Sequence, residues 1–153
     1  MNILQIVPSF EVGGAETMCV GLCLELRKLG HSVTAVSLSA AQSKLTRDLT
    51  EAGVELRLLG KGPGMDLSCV SRLRALIREV RPQVIHTHLH ALKYAALALG
   101  GGKIPILHTV HNQAEAEAVK LDQLIARYLF HSGKATPVAL SGEIQASVAA
   151  LYG

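Results

Sequence analysis

Histidines are concentrated where an apolar segment near the middle of the chain ends. His86, His88 and His90 fall within the run HTHLH at residues 86–90. Residues two apart point to the same face of an extended chain, so the three imidazoles would line one edge if the strand continued. A neutral imidazole can donate and accept a hydrogen bond, which suits acid–base work or recognition of a hydroxyl group. We expect at least one of these rings to face a ligand, although a buried histidine is more often structural.

A second group of polar residues closes the next apolar run, Ile106–Val110. His108 lies within that run and is predicted to pack against the covering of the sheet. His111 and Asn112 lie beyond it, where a polar side chain can reach a ligand. Because parallel strands end at a shared edge, this segment is expected near the first histidine group.

Paired glycines follow the first apolar run, in the loop Pro8–Glu16. Gly13 and Gly14 would let backbone N–H groups at a helix N-terminus approach a phosphate or a sugar hydroxyl; the alternative is that they only form a tight turn. Neither GxGxxG nor GxxxxGK[ST] is present. These absences count against dehydrogenases and P-loop NTPases.

Other chemistries for the histidines have weaker support. Two imidazoles two apart on a strand, with a third from a neighbour, can ligate zinc. However, no Asp or Cys accompanies them, and Glu115 is the nearest acidic residue after His111. No GxSxG elbow is present, and Ser141 is best explained as a helix cap. We therefore expect no metal and no cofactor.

Apolar runs alternate with helical patterns along the whole chain. This alternation indicates βαβ units, and hence an α/β doubly wound domain with a mostly parallel sheet of about six or seven strands and helices on both faces. The predicted strands are Ile3–Val7, Ser32–Ser37, Glu55–Leu59, Val84–Thr87, Ile106–Val110 and Pro137–Leu140. The predicted helices are Ala15–Leu29, Leu45–Ala52, Val70–Val80, Ala91–Leu99, Glu115–His131 and Gly142–Tyr152.

Composition narrows the class of protein. With 153 residues, 49% of them hydrophobic and 18% charged, the chain fits one globular domain. A net charge of +3 and 3% aromatic residues do not indicate nucleic acid binding. Cys19, Cys23 and Cys69 form no CxxC pair, and they indicate reduced core thiols in a cytoplasmic protein.

Four arginines lie on or beside the third predicted helix: Arg72, Arg74, Arg78 and Arg81. A solvated helix face is the simpler interpretation. The alternative is peripheral contact with anionic lipid at the inner face of a membrane.

Four segments in register resemble a known family: Gly13-Gly14-Ala15-Glu16, Val84-Ile85-His86-Thr87-His88, Thr109-Val110-His111 and Val138-Ala139-Leu140-Ser141. In order and spacing they are similar to the N-terminal, Rossmann-like domain of GT-B fold glycosyltransferases of group 1, or family 4. Members of this family build lipopolysaccharide, capsule, glycolipids and related glycans. The resemblance covers essentially residues 1–153.

The resemblance implies an acceptor-binding half of a retaining enzyme that transfers a sugar from a nucleotide-sugar donor to a glycan, lipid or small-molecule acceptor. It implies that Gly13 and Gly14 approach the donor phosphate and sugar, and that His88 contacts the transferring sugar as the catalytic residue. His111 and Glu16 would lie on the acceptor side, with His86 and Asn112 as further substrate-binding candidates. Most members need no metal.

One departure from the family pattern affects the expected activity. The chain stops at Gly153, about where the connection to a donor-binding C-terminal domain would begin. We therefore expect this part alone to fold without catalysing transfer. Two alternatives stay open from the residues: a stand-alone, non-catalytic module that binds a ligand or partner, and a zinc-dependent hydrolase that uses His86, His88 and His90.

Overall fold

The computed structural model describes residues 1–117 and 119–153, apart from the side chain of residue 117. Its six strands are β1 Asn2–Val7, β2 Ser32–Ser37, β3 Glu55–Leu58, β4 Val84–His88, β5 Ile106–Val110 and β6 Ala135–Ala139. Its helices are α1 Gly14–Lys28, α2 Lys44–Glu51, α3 Leu67–Val80, α4 Ala91–Leu99, α5 Ala114–Glu117, α6 Lys120–His131 and α7 Gly142–Tyr152.

The strands form one parallel sheet in the order β3-β2-β1-β4-β5-β6. This is the order of a Rossmann-like, doubly wound domain, so the predicted fold class is confirmed. Side chains alternate between the two faces of the sheet, because successive residues of a strand point in opposite directions. On β1, Leu4 and Ile6 face one hydrophobic core while Val7 faces the other.

Each face of the sheet is covered by its own helices. Helices α1 and α2 bury Cys19, Cys23 and Leu49 in one core. Helices α3, α4 and α6 bury residues such as Leu73 and Leu129 in the other. The three cysteines are buried thiols, as expected. The apolar stripes that predicted the helices are therefore the surfaces that cover the sheet.

Three predicted elements differ from the structure by more than one residue. Helix α3 begins at Leu67 rather than Val70, because Asp66 caps it by accepting from the backbone N–H groups of Ser68 and Cys69.

The last strand covers Ala135–Ala139 rather than Pro137–Leu140, because Ala135 is buried and pairs with Ile106. Pro137 is accommodated because β6 is an edge strand, where one row of backbone N–H groups needs no partner in the sheet.

The helix predicted over Glu115–His131 is divided in the structure. Helix α5 ends at Glu117, residue 118 lies outside the described residues, and Val119 has extended backbone angles as the N-cap of α6. An extended residue cannot continue the helical hydrogen bonding, so α6 begins independently at Lys120.

The arginines of α3 are partly used inside the fold. Arg72 Nε donates to the carbonyl oxygen of Leu59 at 2.8 Å, and Arg74 donates to the carbonyl oxygens of Leu97 and Ala98 at 2.9 and 3.1 Å. These bonds tie α3 to the end of β3 and to α4. Two of the four arginines, for which a solvated face was the simpler prediction and lipid contact the alternative, therefore hold neighbouring elements in place.

No helix within 1–117 and 119–153 has the length and apolar character needed to cross a membrane.

Candidate active site

The candidate site lies at the carboxyl ends of β1 and β4, which are neighbours at the centre of the sheet. From β1 the chain proceeds toward β2 on one side, and from β4 it proceeds toward β5 on the other. The loops that follow these two strands diverge and leave a crevice, which is where doubly wound sheets bind ligands. The paired glycines follow β1, and the first histidine group ends β4.

A chain of hydrogen bonds crosses this crevice. Nε2 of His88 lies 2.9 Å from Oε1 of Gln5 on β1. Nδ1 of His88 lies 3.0 Å from Nε2 of His111, in the loop after β5. Because an amide oxygen only accepts, His88 donates through Nε2 and therefore accepts through Nδ1 from His111. The three side chains thus form one directed relay, Gln5–His88–His111, which we call the histidine relay.

His86 supports the histidine relay from deeper in the sheet. Its ring centroid is 4.4 Å from that of His88 on the same face of β4. Its Nε2 lies 2.7 Å from Oγ1 of Thr109 on the neighbouring strand β5. Both His86 and Thr109 are buried, so the structure places His86 behind His88 rather than at the opening.

His90 does not join the other two histidines, which corrects the expectation of three rings on one edge. Strand β4 ends at His88, Leu89 takes a left-handed conformation with φ of 52°, and His90 becomes the N-cap residue of α4. The turn carries His90 away from the strand's face, and its Nδ1 lies 3.5 Å from Oδ2 of Asp122.

His108 packs inside the fold, as predicted. It is buried on the face opposite His88, where Nδ1 lies 2.9 Å from Oγ1 of Thr87 and the ring faces Phe130 at a centroid distance of 6.2 Å. The two histidine segments therefore contribute to both faces of the sheet.

The glycine loop brings an acidic residue to the crevice. Gly13 is the N-cap of α1 with extended backbone angles and makes no side-chain cap, and Gly14 begins the helix. A Cβ at Gly13 would clash with the Glu16 carboxylate, which folds back over this residue. A larger residue at position 13 would displace this flexible carboxylate, which in the structure lies beside the first-turn N–H groups of α1.

Burial keeps the imidazoles of the site neutral. It lowers the pKa of His86 to about 4, with the neighbouring His111 acting in the same direction. Burial, and then the rings of His86, His111 and His108, lower the pKa of His88 to about 2. The pKa of His111 is also lowered by burial, while the nearby Glu16 carboxylate opposes the shift. Near neutral pH the histidine relay therefore consists of uncharged rings held in place by fixed hydrogen bonds.

Several of the predicted site residues meet here. His88 is bonded to His111, the Glu16 carboxylate lies near enough to raise the pKa of His111, and Gly13 lies against that carboxylate. Asn112 is exposed and follows His111 in the same loop. His88 itself is 0% exposed, whereas His111 is half-buried. His111 is therefore the more accessible of the two bonded imidazoles.

Sequence analysis missed Gln5, which orients His88. It is 1% exposed within β1 and is the one polar residue in the run Ile3–Val7. A strand covered on both faces is normally apolar throughout. The polar residue within this apolar run could therefore have indicated a functional contact, because a buried amide needs hydrogen-bond partners.

A cleft of about 460 Å³ opens at the same edge of the sheet. Its lining includes Pro8 from the loop after β1, Lys61 from the loop after β3, and Tyr94 and Lys93 of α4. Nζ of Lys61 lies 5.8 Å from the centroid of the Tyr94 ring. Tyr94 is only 2% exposed, so the lysines supply the accessible polar groups of the cleft.

The histidines do not assemble a metal centre. Within the part of the chain that the structure describes, no group of three or more His, Cys, Asp or Glu residues is arranged to hold a metal ion. The ring nitrogens that would have to bind the ion are instead bonded to Gln5, Thr109 and each other.

Solved structures share this fold at low sequence identity. HepE from Anabaena, in complex with UDP, superposes with a TM-score of 0.80 at 18% identity, covering 100% of this chain and 41% of that chain. A glycosyltransferase from Rickettsia africae superposes with a TM-score of 0.73 at 16% identity, covering 95% of this chain and 38% of that chain. MurG from Acinetobacter baumannii superposes with a TM-score of 0.62 at 13% identity, covering 82% of this chain and 38% of that chain. The chain thus spans about two fifths of these proteins.

No curated protein sequence matches the chain. The model of Glycosyltransferase Family 4 matches residues 12–153, from the glycine loop to the last residue. The matched region contains the paired glycines, both histidine segments and five of the six strands. The chain therefore belongs to glycosyltransferase family 4.

Proposed function

We propose that this chain is the acceptor-side half of a retaining glycosyltransferase, which transfers a sugar from a nucleotide-sugar donor to a glycan, lipid or small-molecule acceptor. The observation that carries the proposal is the convergence of Gly13, Glu16, His88 and His111 at the carboxyl ends of β1 and β4. Family membership supports the reaction class. A nucleotide-sugar donor is supported by the HepE complexes with UDP, with UDP and glucose, and with UDP-glucose.

The two relay histidines have different proposed roles. His111 meets the sugar first, because it is half-buried whereas His88 is 0% exposed. His88 contacts the transferring sugar when the His111 ring turns aside, and it is held ready by its bond to Gln5. The nitrogen freed in this way, Nδ1, carries no proton in the neutral ring, so it accepts a hydrogen bond from a sugar hydroxyl group without presenting a positive charge to a developing oxocarbenium ion.

The acceptor is proposed to enter through the cleft beside Tyr94 and Lys61. Lys61 can donate to hydroxyl or phosphate oxygens of an acceptor. The cleft opens at the same edge of the sheet as the crevice, which supports approach of the acceptor from this side.

Transferase kinetics test the site in a protein that joins this chain to a donor-binding domain. Replacing His88 with Ala should lower kcat by about a hundredfold or more, as expected for a positioned hydrogen-bonding group at the reacting centre. His111→Ala should also lower kcat, because it leaves the relay open to water. His31→Ala, at the opposite end of the sheet, is the matched control. Unchanged kcat in His88→Ala would remove His88 from the site.

The 153 residues alone are proposed to lack transferase activity, because departure of a phosphate needs positioned charges on both sides of the crevice. Turnover of UDP-glucose by the isolated chain would refute this. In the protein that joins this chain to a donor-binding domain, UDP-glucose should shift the imidazole NMR signal of His111 more than that of the buried His108. Equal shifts, or none, would count against the proposed site.

A further inference from the structure

A buried cysteine of α1 lies against the inner end of the histidine relay. Sγ of Cys19 is 4.0 Å from Oε1 of Gln5, the same oxygen that accepts from Nε2 of His88. Cys19 is 0% exposed and Gln5 is 1% exposed, so this contact is removed from bulk solvent. The amide oxygen of Gln5 therefore has two donors within the protein, one from β4 and one from α1.

The thiol of Cys19 acts as a donor in this contact. A hydrogen bond with Cys23 and burial raise the pKa of the Cys19 thiol well above its usual value, so the thiol keeps its proton. A thiol is a weak donor, and an amide oxygen only accepts. The contact therefore favours the amide orientation in which Oε1 of Gln5 faces both Cys19 and His88.

The orientation of the Gln5 amide decides the direction of the histidine relay. If the amide were flipped, its Nε2 would donate to Nε2 of His88, which would then carry its proton on Nδ1. His88 would donate to His111 instead of accepting from it. Both directions make the same number of hydrogen bonds along the relay, so the relay itself does not select between them. Cys19 touches the relay at the amide, where the two directions differ.

The same helix meets the relay at its other end. Glu16, one turn before Cys19, lies near enough to His111 to raise its pKa. Residues three apart share a face of a helix, so one face of α1 lies along the relay. We propose that Cys19 is a positioning residue: through the Gln5 amide it keeps the proton of His88 on Nε2 and leaves Nδ1 able to accept from a sugar hydroxyl group.

Heteronuclear NMR of the imidazole rings tests the proposal with the 153-residue chain near neutral pH. Protonated and unprotonated ring nitrogens differ in chemical shift, and His88→Gln identifies the signals of His88. The wild type should carry this proton mainly on Nε2. Cys19→Val removes the donor and keeps a similar volume, so it should move the tautomer ratio of His88 toward Nδ1–H by about two- to fivefold, as for one weak hydrogen bond. Cys19→Ala should move the ratio in the same direction, which covers the case in which valine does not fit.

Cys23→Val is the matched control. It makes the same change at the other buried thiol of α1, in the same core and one turn away. This variant should keep the wild-type tautomer ratio of His88. Circular dichroism checks that every variant is folded.

Three NMR results would overturn the proposal. They are a wild-type His88 protonated on Nδ1, an unchanged ratio in both Cys19 variants, and an equal shift in Cys23→Val. The kinetic consequence rests on the proposed function, so it is measured separately in the protein that joins this chain to a donor-binding domain.

In that protein, kcat of Cys19→Val should fall in proportion to the fraction of His88 that keeps its proton on Nε2. A fall in kcat without a change in the tautomer ratio would overturn the positioning role of Cys19. A changed ratio with an unchanged kcat would support that role and would instead overturn the proposed contact of His88 with the sugar.

Discussion

Acidification should destabilise this fold through three buried imidazoles. Burial lowers the pKa of His86 to about 4, that of His88 to about 2 and that of His108 to about 3. In the unfolded chain a histidine has a pKa of about 6.5. Between these values the unfolded state binds protons that the folded state does not. The free energy of unfolding is therefore highest above pH 6.5 and falls as the pH is lowered toward 4.

The size of the effect follows from the shifts. Each buried imidazole should remove about 1.4 kcal/mol per pH unit well below pH 6.5, so the three together should remove about 4 kcal/mol per unit. From pH 7.5 to pH 5 the loss is about 2 kcal/mol for each ring and about 6 kcal/mol in total. His111, whose pKa is also lowered, adds to the loss in the same direction. Because a domain is stable by about 5–15 kcal/mol, a loss of this size is a large fraction of the total stability.

Urea unfolding at several pH values measures this dependence. Fluorescence or circular dichroism gives the free energy of unfolding at half-unit steps from pH 7.5 to 5. His88→Gln should lower the slope of the free energy of unfolding against pH by about one third, because one of the three imidazoles is gone. The slope is the relevant quantity, since the variant also changes stability at neutral pH. His131→Gln, which removes an exposed imidazole from α6, is the matched control and should keep the wild-type slope.

Two results would refute this reasoning. The first is a free energy of unfolding that stays constant from pH 7.5 to 5, which would mean that the folded chain takes up these protons as readily as the unfolded chain. The second is a wild-type slope in His88→Gln, which would mean that His88 is not a neutral buried ring.

Two further substitutions test particular hydrogen bonds. Gln5→Leu should lower the free energy of unfolding by about 1–3 kcal/mol in urea titrations, because the buried N–H of His88 loses its acceptor; equal stability would show that this bond is not made. Ser43→Ala should cost about 1 kcal/mol by the same measurement, because the Ser43 side chain accepts from the backbone N–H groups of Leu45 and Thr46 at the start of α2. Ser43→Thr retains the hydroxyl and should recover most of that loss.

The fold could be predicted because its signals are local. Apolar runs such as Ile106–Val110 and helical stripes such as that of α1 depend on side chains a few residues apart, and their alternation restricts the chain to parallel βαβ units. The prediction failed where a residue's effect depends on distant neighbours. Pro137 lies within β6 only because that strand is at the sheet edge, and the start of α6 depends on the backbone of Val119 rather than on an apolar pattern.

The candidate site was predicted in its residue types and only partly in its geometry. Periodicity of two indicated that His86 and His88 share a face, because that spacing is a property of any extended chain. It could not show that the strand ends at His88, since the chain turns there through a positive φ at Leu89, which a leucine rarely adopts.

Residue types and spacing by themselves determined the doubly wound fold, the edge of the sheet where ligands bind, and which loops carry polar groups to that edge. Only the tertiary structure decided that Gln5 orients His88, that His111 covers it and that His90 faces the other side. The reason is physical: hydrogen bonds between strands join residues more than 80 positions apart, as in the contact of Gln5 with His88, and the alignment of β1 against β4 that creates them comes from the packed sheet as a whole.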